Sequence, residues 1–191
     1  MKALLLLSLA ALCLVLSGCP AYSVHPLYTD RDAVVEPALE GTWTDSSDDK
    51  TEFRFTQSGA HEYTLVVSDP DSSIEQNYNV NLVRLGDQLF MDLAFRGQTV
   101  NGAKIDDPIG VIPTHAIAKV TISGDDLAYA TLEDEPIQKQ NPRKAGLTHV
   151  ATEGALLVTA QTEALRRYVS VHADDAFSEW NHFTRKRGIQ P

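Results

Sequence analysis

The chain has 191 residues, 26 acidic against 16 basic, and only two cysteines. That length supports one domain with a substantial core and scarcely two. A net charge of -10 argues against recognition of a phosphate backbone, which depends on clustered Lys and Arg.

At the start, Lys2 precedes an apolar run from Ala3 to Leu16 that already contains Ser8. A membrane-spanning helix needs roughly 20 apolar residues, so this run is too short to cross. A short basic region, an apolar stretch and then small residues are the order of a secretory signal. Leu16-Ser17-Gly18-Cys19 resembles the lipobox of bacterial lipoproteins, and all four positions match. The resemblance implies that residues 1–18 are removed and that Cys19 carries a lipid, so the partner there is a membrane reached through the anchor. In Gram-negative lipoproteins an aspartate after that cysteine favours inner-membrane retention. Pro20 stands there instead, so the expected place is the outer membrane if the host has one. Cleavage leaves 173 residues with 15 basic side chains. Cys13 would leave with the signal and Cys19 would be consumed by lipid, which removes disulfides, thiolate metal ligands and thiol nucleophiles from the expected chemistry.

Residues 19–38 hold two prolines and no lasting period, which reads as a lipidated N-terminus and tether. The domain is expected to span 39–191. Within it, period-two segments mark half-buried strands. Phe53 and Phe55 alternate with polar neighbours, Ser58-Gly59-Ala60 turns the chain, and Tyr63, Leu65 and Val67 follow on one face. A second hairpin sets Tyr78, Val80 and Leu82 against Leu89, Met91, Leu93 and Phe95 around Gly86-Asp87. A third carries Ala118, Val120 and Ile122 and turns at Gly124-Asp125-Asp126. Glycine and aspartate tolerate the positive φ that such turns use. Arg96 to Pro113 reads as a long loop, a lid or a crossover. Pro136 and Pro142 break the next stretch around a short helical turn. Thr159 is the expected N-cap of a C-terminal helix with Ala164, Leu165, Tyr168 and Val169 on its buried stripe, followed by a basic tail.

Successive hairpins predict a mainly β, antiparallel meander, and such a sheet manages its edges by closing into a barrel or folding into a sandwich. Gly41-x-Trp43 is similar to the opening of lipocalin-like barrels, which implies a barrel or half-barrel with a C-terminal helix. Read without that resemblance, Trp43 is a core aromatic beside a turn glycine.

The six histidines (His25, His61, His115, His149, His172, His182) show no metal-site spacing, and no metal or other cofactor is expected. Asp69 and Asp71 begin like a calcium loop, but Ile74 and Val80 occupy the positions that need glycine and glutamate. The remaining acidic pairs fall in turns. No nucleophile elbow, Ser-x-x-Lys or phosphate-binding glycine loop occurs, so no catalytic residue is named and the protein is expected not to be an enzyme. Two functional readings stand. One is an anchored binding module for a small apolar molecule or lipid, with Trp43, Phe53 and Phe55 as interior wall and the Arg96 to Pro113 loop at the mouth. The other is a solid-core structural or interaction protein whose partner is another envelope protein.

Overall fold

The structure, a computed structural model, describes residues 20–47, 50–105, 113–139, 147–152 and 155–186. The lipobox, including Cys19, lies outside the described residues, as do Asp48-Asp49 and Asp106-Asp107. The chain begins with two short strands, β1 (Ala21–Ser23) and β2 (Ala33–Val34), and a 3-10 turn at Pro37–Leu39. Strands β3 (Gly41–Asp45), β4 (Glu52–Gln57), β5 (Glu62–Ser68), β6 (Ile74–Leu85) and β7 (Gln88–Val100) form the meander, and β8 (Ala103–Ile105) turns back on β7. Then come β9 (His115–Ser123), β10 (Asp126–Thr131), helix α1 (Asp134–Lys139), β11 (His149–Thr152), β12 (Ala155–Val158), helix α2 (Thr162–Val171) and β13 (Trp180–Arg185).

Eight strands close into an antiparallel barrel in the order β3-β4-β5-β6-β7-β9-β10-β13, with β13 pairing back onto β3 and β7 onto β9. The three expected hairpins pair in register, for example Phe55 with Leu65, Leu82 with Met91 and Val120 with Tyr129. Closure replaces the half-barrel alternative. It also corrects the expected ending. The helix lies between the seventh and eighth barrel strands, and the residues read as a basic tail begin in β13, where Phe183 is the only fully buried side chain.

Alternation along each strand sends one set of side chains inward and the other outward. Inside sit Trp43, Phe55, Leu65, Val80, Leu82, Met91, Val120, Leu127, Tyr129 and Phe183. Outside, Val83, Phe90, Ile117 and Ala130 join a second core under the helix and the β11-β12-β1 lobe, built with Leu156, Val158, Leu165, Tyr168, Val169 and Phe177. The helical stripe is the one that the spacing predicts, with Ala164 packed at its edge. Its N-cap is Gln161, not Thr159. The Thr159 hydroxyl is turned to Thr148, and no side chain caps the helix. Helix α1 starts before Pro136, which falls in its first turn, where no backbone N–H is needed.

Two further expectations are corrected. The stretch from Ala21 to Ala38 is no free tether. β1 pairs with β12 and β9, β2 pairs with β6, and Leu27 is fully buried. Its prolines break a continuous strand, but each short piece finds an edge left open where neighbouring strands diverge. The described first part of the Arg96 to Pro113 stretch, residues 96–105, is also largely strand, while 106–112 lie outside the described residues. Arg96 is the extra residue of a bulge between the Tyr78–Phe95 and Asn77–Gly97 pairs, and β7 then continues to Val100 before Asn101-Gly102 turn it into β8. Positive φ at both turn residues suits a tight hairpin.

Candidate functional site

The turns at Ser58–His61, Gly86-Asp87 and Gly124-Asp125 lie at one end of the barrel, which the Pro37–Leu39 turn closes. Gly41 and Trp43 explain each other there. The Trp43 indole N–H donates to the Leu39 carbonyl at 2.9 Å, tying the closing turn to the floor of the barrel. The Arg185 guanidinium lies 4.1 Å from the centre of the Trp43 ring and donates to the carbonyls of Glu40 and Ala38 at 2.7 and 2.6 Å. Gly41 has φ +131°, and a Cβ on it would stand 2.7 Å from the Arg185 guanidinium. The positive φ therefore favours glycine, and any larger residue would also push the Arg185 guanidinium off its seat. Arg185 was hidden within what reads as a basic tail. The alternation of Phe183 between polar residues was its only signal.

Above this floor the interior is filled. Accessible surface is whatever a water molecule can touch, from outside or from within a void, so side chains around a water-sized cavity would keep some. Trp43, Tyr63, Val80 and Leu82 keep none, and Phe55, Leu65 and Met91 keep 1 %. The three expected wall residues do come together: Trp43 pairs with Phe53 across β3 and β4, and Gly41 with Phe55. Their surfaces, however, meet side chains. Phe53 packs on Phe183 at 4.4 Å between ring centres, on Tyr129 at 5.7 Å and on Phe55 at 6.3 Å. Trp43 and Phe55 belong to the packed core, while Phe53 is half-buried toward the other end.

That other end is the mouth. Phe53, Val67, Tyr78 and Leu93 are partly buried against the interior core. Phe95 stacks edge to face on Tyr78 at 5.4 Å and is 37 % exposed, and Ile74, on the same face of β6, is 36 % exposed. The Tyr78 hydroxyl donates to Gln76, and burial, with Tyr22 nearby, pushes it up to about 12. The Tyr129 hydroxyl is likewise pushed up by burial, by Asp45 and by Tyr78. The mouth is thus apolar and aromatic, and its tyrosines stay neutral.

On the outer wall one pair escaped the sequence reading. Asp92 is 1 % exposed; its Oδ1 lies 2.6 Å from His115 Nδ1, and its Oδ2 accepts the Leu27 N–H at 2.6 Å. A lone carboxylate between Phe90 and Ala94, in a run from Leu89 to Phe95 otherwise apolar on both faces, was the available signal. A buried carboxylate needs such partners. Here they hold the 24–32 strap against the barrel, helped by Thr162 and Arg166, which donate to the carbonyls of Pro26 and Leu27. His172 contacts Asp175, His149 approaches the Leu147 carbonyl and His25 meets Gln161.

The acidic clusters that are described serve turns and local pairs. Asp69 accepts from the Asp71 N–H, Asp71 pairs with Lys50, and Asp174 pairs with Lys119, whose ammonium lowers the Asp174 carboxyl. Among the described residues no three His, Cys, Asp or Glu side chains converge as a metal site. An open cleft of about 410 Å³ is lined by Glu133, Glu135, Pro136, Lys139, Asp175 and Ser178. Glu133 is already committed there, accepting from the Ser178 N–H and hydroxyl at 2.7 Å and from the Glu179 N–H at 3.2 Å. No described helix is long and apolar enough to cross a membrane. Comparison with protein-family models, with curated proteins and with solved structures gives no match for this chain.

Proposed function

We propose that the protein is a lipid-anchored envelope lipoprotein, attached through Cys19 to the outer membrane where the host has one, whose barrel acts through its surface and not as a catalyst. The observation behind this reading is the filled interior: of the side chains expected to line a ligand chamber, Trp43 and Phe55 keep 0–1 % of their surface, and half-buried Phe53 packs on Phe183 and Tyr129. A barrel of eight strands is just wide enough to be filled by its own side chains. The apolar side chains left exposed at the mouth, Ile74 and Phe95, supply the kind of surface that a partner envelope protein covers.

The reading as a carrier of a small apolar molecule keeps one support. Half-buried Phe53, Tyr78 and Leu93 make a shallow apolar seat above the packed floor. Native mass spectrometry, with solvent extraction, on a soluble form beginning at Pro20 and purified without detergent separates the two. The expected result is the bare protein mass, unchanged after incubation with envelope lipids. A defined co-purifying molecule would reverse the preference and direct mutagenesis to the mouth. The anchor has its own test, since the intact mass of membrane-extracted protein should exceed that of residues 19–191 by the acyl modification.

A further inference from the structure

The residues from His149 to Thr152 include no Asp, Glu, Lys, Arg or Pro, and they fold as β11, the strand at one end of the sheet. β11 pairs with β12, and among the described residues nothing adds to its other side. Natural sheets guard such edges with charges, prolines or bulges, because unpaired N–H and C=O groups recruit another strand. At the opposite end of the sheet, β8 has Lys104 at its centre. β11 has no such guard. Its Ala151 and Thr152 are exposed, and Val150 keeps 53 % of its surface.

The hydrogen bonds of the β11–β12 hairpin decide which groups of β11 face outward. The Thr159 N–H donates to the Thr148 carbonyl at 2.8 Å, and these two residues continue the register that sets Val150 opposite Leu157 and Thr152 opposite Ala155. In an antiparallel pair, hydrogen-bonded and non-hydrogen-bonded positions alternate. Val150 and Thr152 are therefore bonded to β12, while His149 and Ala151 turn their N–H and C=O groups to the free edge. The other side of the hairpin agrees. Val158, opposite His149, gives its carbonyl to the Val24 N–H on the β1 side at 2.9 Å.

A second copy of β11 can pair with both outward residues within the strand in one register, with His149 opposite the partner's Ala151 and Ala151 opposite the partner's His149. That register puts a two-fold axis at Val150, so the same patch serves both copies. Val150 then meets the partner's Val150 as a non-hydrogen-bonded pair, whose Cα atoms lie about 4.5 Å apart and whose side chains approach most closely. The exposed valine is thus covered by its own copy. Thr148 falls opposite the partner's Thr152, so no like charges are set face to face along the seam, although the whole chain carries -10.

We infer that β11 is a self-association edge at which two copies of this chain join antiparallel, merging the β11-β12-β1 lobe of each into one sheet across a two-fold axis. The contact is separate from the mouth and from Cys19, and it stands whether or not Cys19 is acylated. A seam of four residues falls below the roughly 1,000 Å² typical of stable complexes. The pairing is therefore weak in dilute solution, and covalent trapping is the way to read it.

The test is disulfide trapping in the full chain, expressed in its host and oxidised mildly in intact cells with copper phenanthroline. Val150→Cys replaces an exposed side chain, and the separation across the axis lies within the roughly 4.4–6.8 Å between Cα atoms that a disulfide spans. In Thr152→Cys the two thiols stand on opposite sides of the axis, on the order of 13 Å apart at about 3.3 Å per residue. The unsubstituted chain, with Cys13 and Cys19, sets the background. The expected result is a disulfide dimer of twice the chain mass, several-fold more abundant for Val150→Cys than for Thr152→Cys or the background. Adding Ala151→Pro to Val150→Cys should return the dimer to background, because it deletes an outward N–H and leaves the bonds to β12 in place. Equal trapping at positions 150 and 152, no dimer above background for a folded Val150→Cys chain, or a disulfide from position 150 to a different protein overturns the inference. If Val150→Cys fails to fold, native mass spectrometry of the unsubstituted chain decides instead. A dimer that grows with concentration and is lost in Ala151→Pro supports the edge, and a monomer across the range overturns it.

Discussion

The interior of the barrel and the core on its outer wall are built from the same strands and obey different rules. The interior is assembled by neighbours in sequence: β3 to β7 pair consecutively, and period-two alternation is enough to fill it. The outer core joins pieces from far apart, with Leu27, Phe90, Ile117, Leu156, Leu165 and Phe177 coming from six separate stretches. It also needs polar clamps, Asp92 with His115 and Leu27, and Arg166 with the Leu27 carbonyl and Asp32. The lesson is that the inside depends on volume, whereas the outside depends on connections.

Substitutions of graded size probe that contrast. Trp43→Ala should be the most damaging, at about 3–5 kcal/mol, because it empties the floor of the barrel and removes the seat of Arg185 and the bond to Leu39; urea unfolding measures it, and a loss under 1 kcal/mol would mean the floor collapses to fill the space. Asp92→Ala should cost about 2–4 kcal/mol, since it strands the Leu27 N–H and the His115 ring. Hydrogen exchange should then speed up first at Leu27 and β1, ahead of β4 and β5. Uniform acceleration would show that the two cores are one cooperative unit.

Alkaline pH offers a third probe. Burial holds the Tyr78 and Tyr168 hydroxyls up to about 12, above the ordinary tyrosine value of 10.0. The folded state keeps these protons more tightly than the unfolded chain, so their contribution is complete below pH 10 and is lost as pH rises toward 12. The loss should amount to about 2 kcal/mol for each tyrosine, read from urea midpoints across that window. Tyr78→Phe and Tyr168→Phe should each flatten the decline. At neutral pH they should diverge: Tyr78→Phe gives up the bond to Gln76, whereas the Tyr168 hydroxyl is buried without a hydrogen-bond partner. Tyr168→Phe should therefore leave stability unchanged or raise it by up to about 1 kcal/mol. The smallest effect belongs to Lys139→Ala at the exposed pair with Glu135, about 0.5 kcal/mol or less and sensitive to salt.

The interior was legible in the sequence because strands with one buried face carry a period of two. Phe53 and Phe55, Tyr63 to Val67 and Leu89 to Phe95 all fall on the side that alternation assigns. What escaped was built by pairing and not by pattern. β1 is only Ala21–Ser23, too short for any period, and β13 has a single fully buried residue. β7 beyond Phe95 was read as loop because one bulged residue, Arg96, shifts the alternation and polar residues follow it. At the candidate site, the sequence brought Trp43, Phe53 and Phe55 together correctly in space. Whether room remained between them depended on Phe183, from a strand more than 120 residues away, which fills the gap.

That final strand has a consequence for how the molecule comes into being. A chain that emerges from its N-terminus can pair β3 through β7 as it appears, yet β3 and β10 both wait with bare hydrogen-bonding edges until Trp180–Arg185 arrives. Until then the nascent sheet is sticky at two margins, a state prone to mispairing with other chains. The last barrel strand in chain order is thus the one that turns an open, association-prone ribbon into a ring, and the same stroke delivers Arg185 onto Trp43 to seal it.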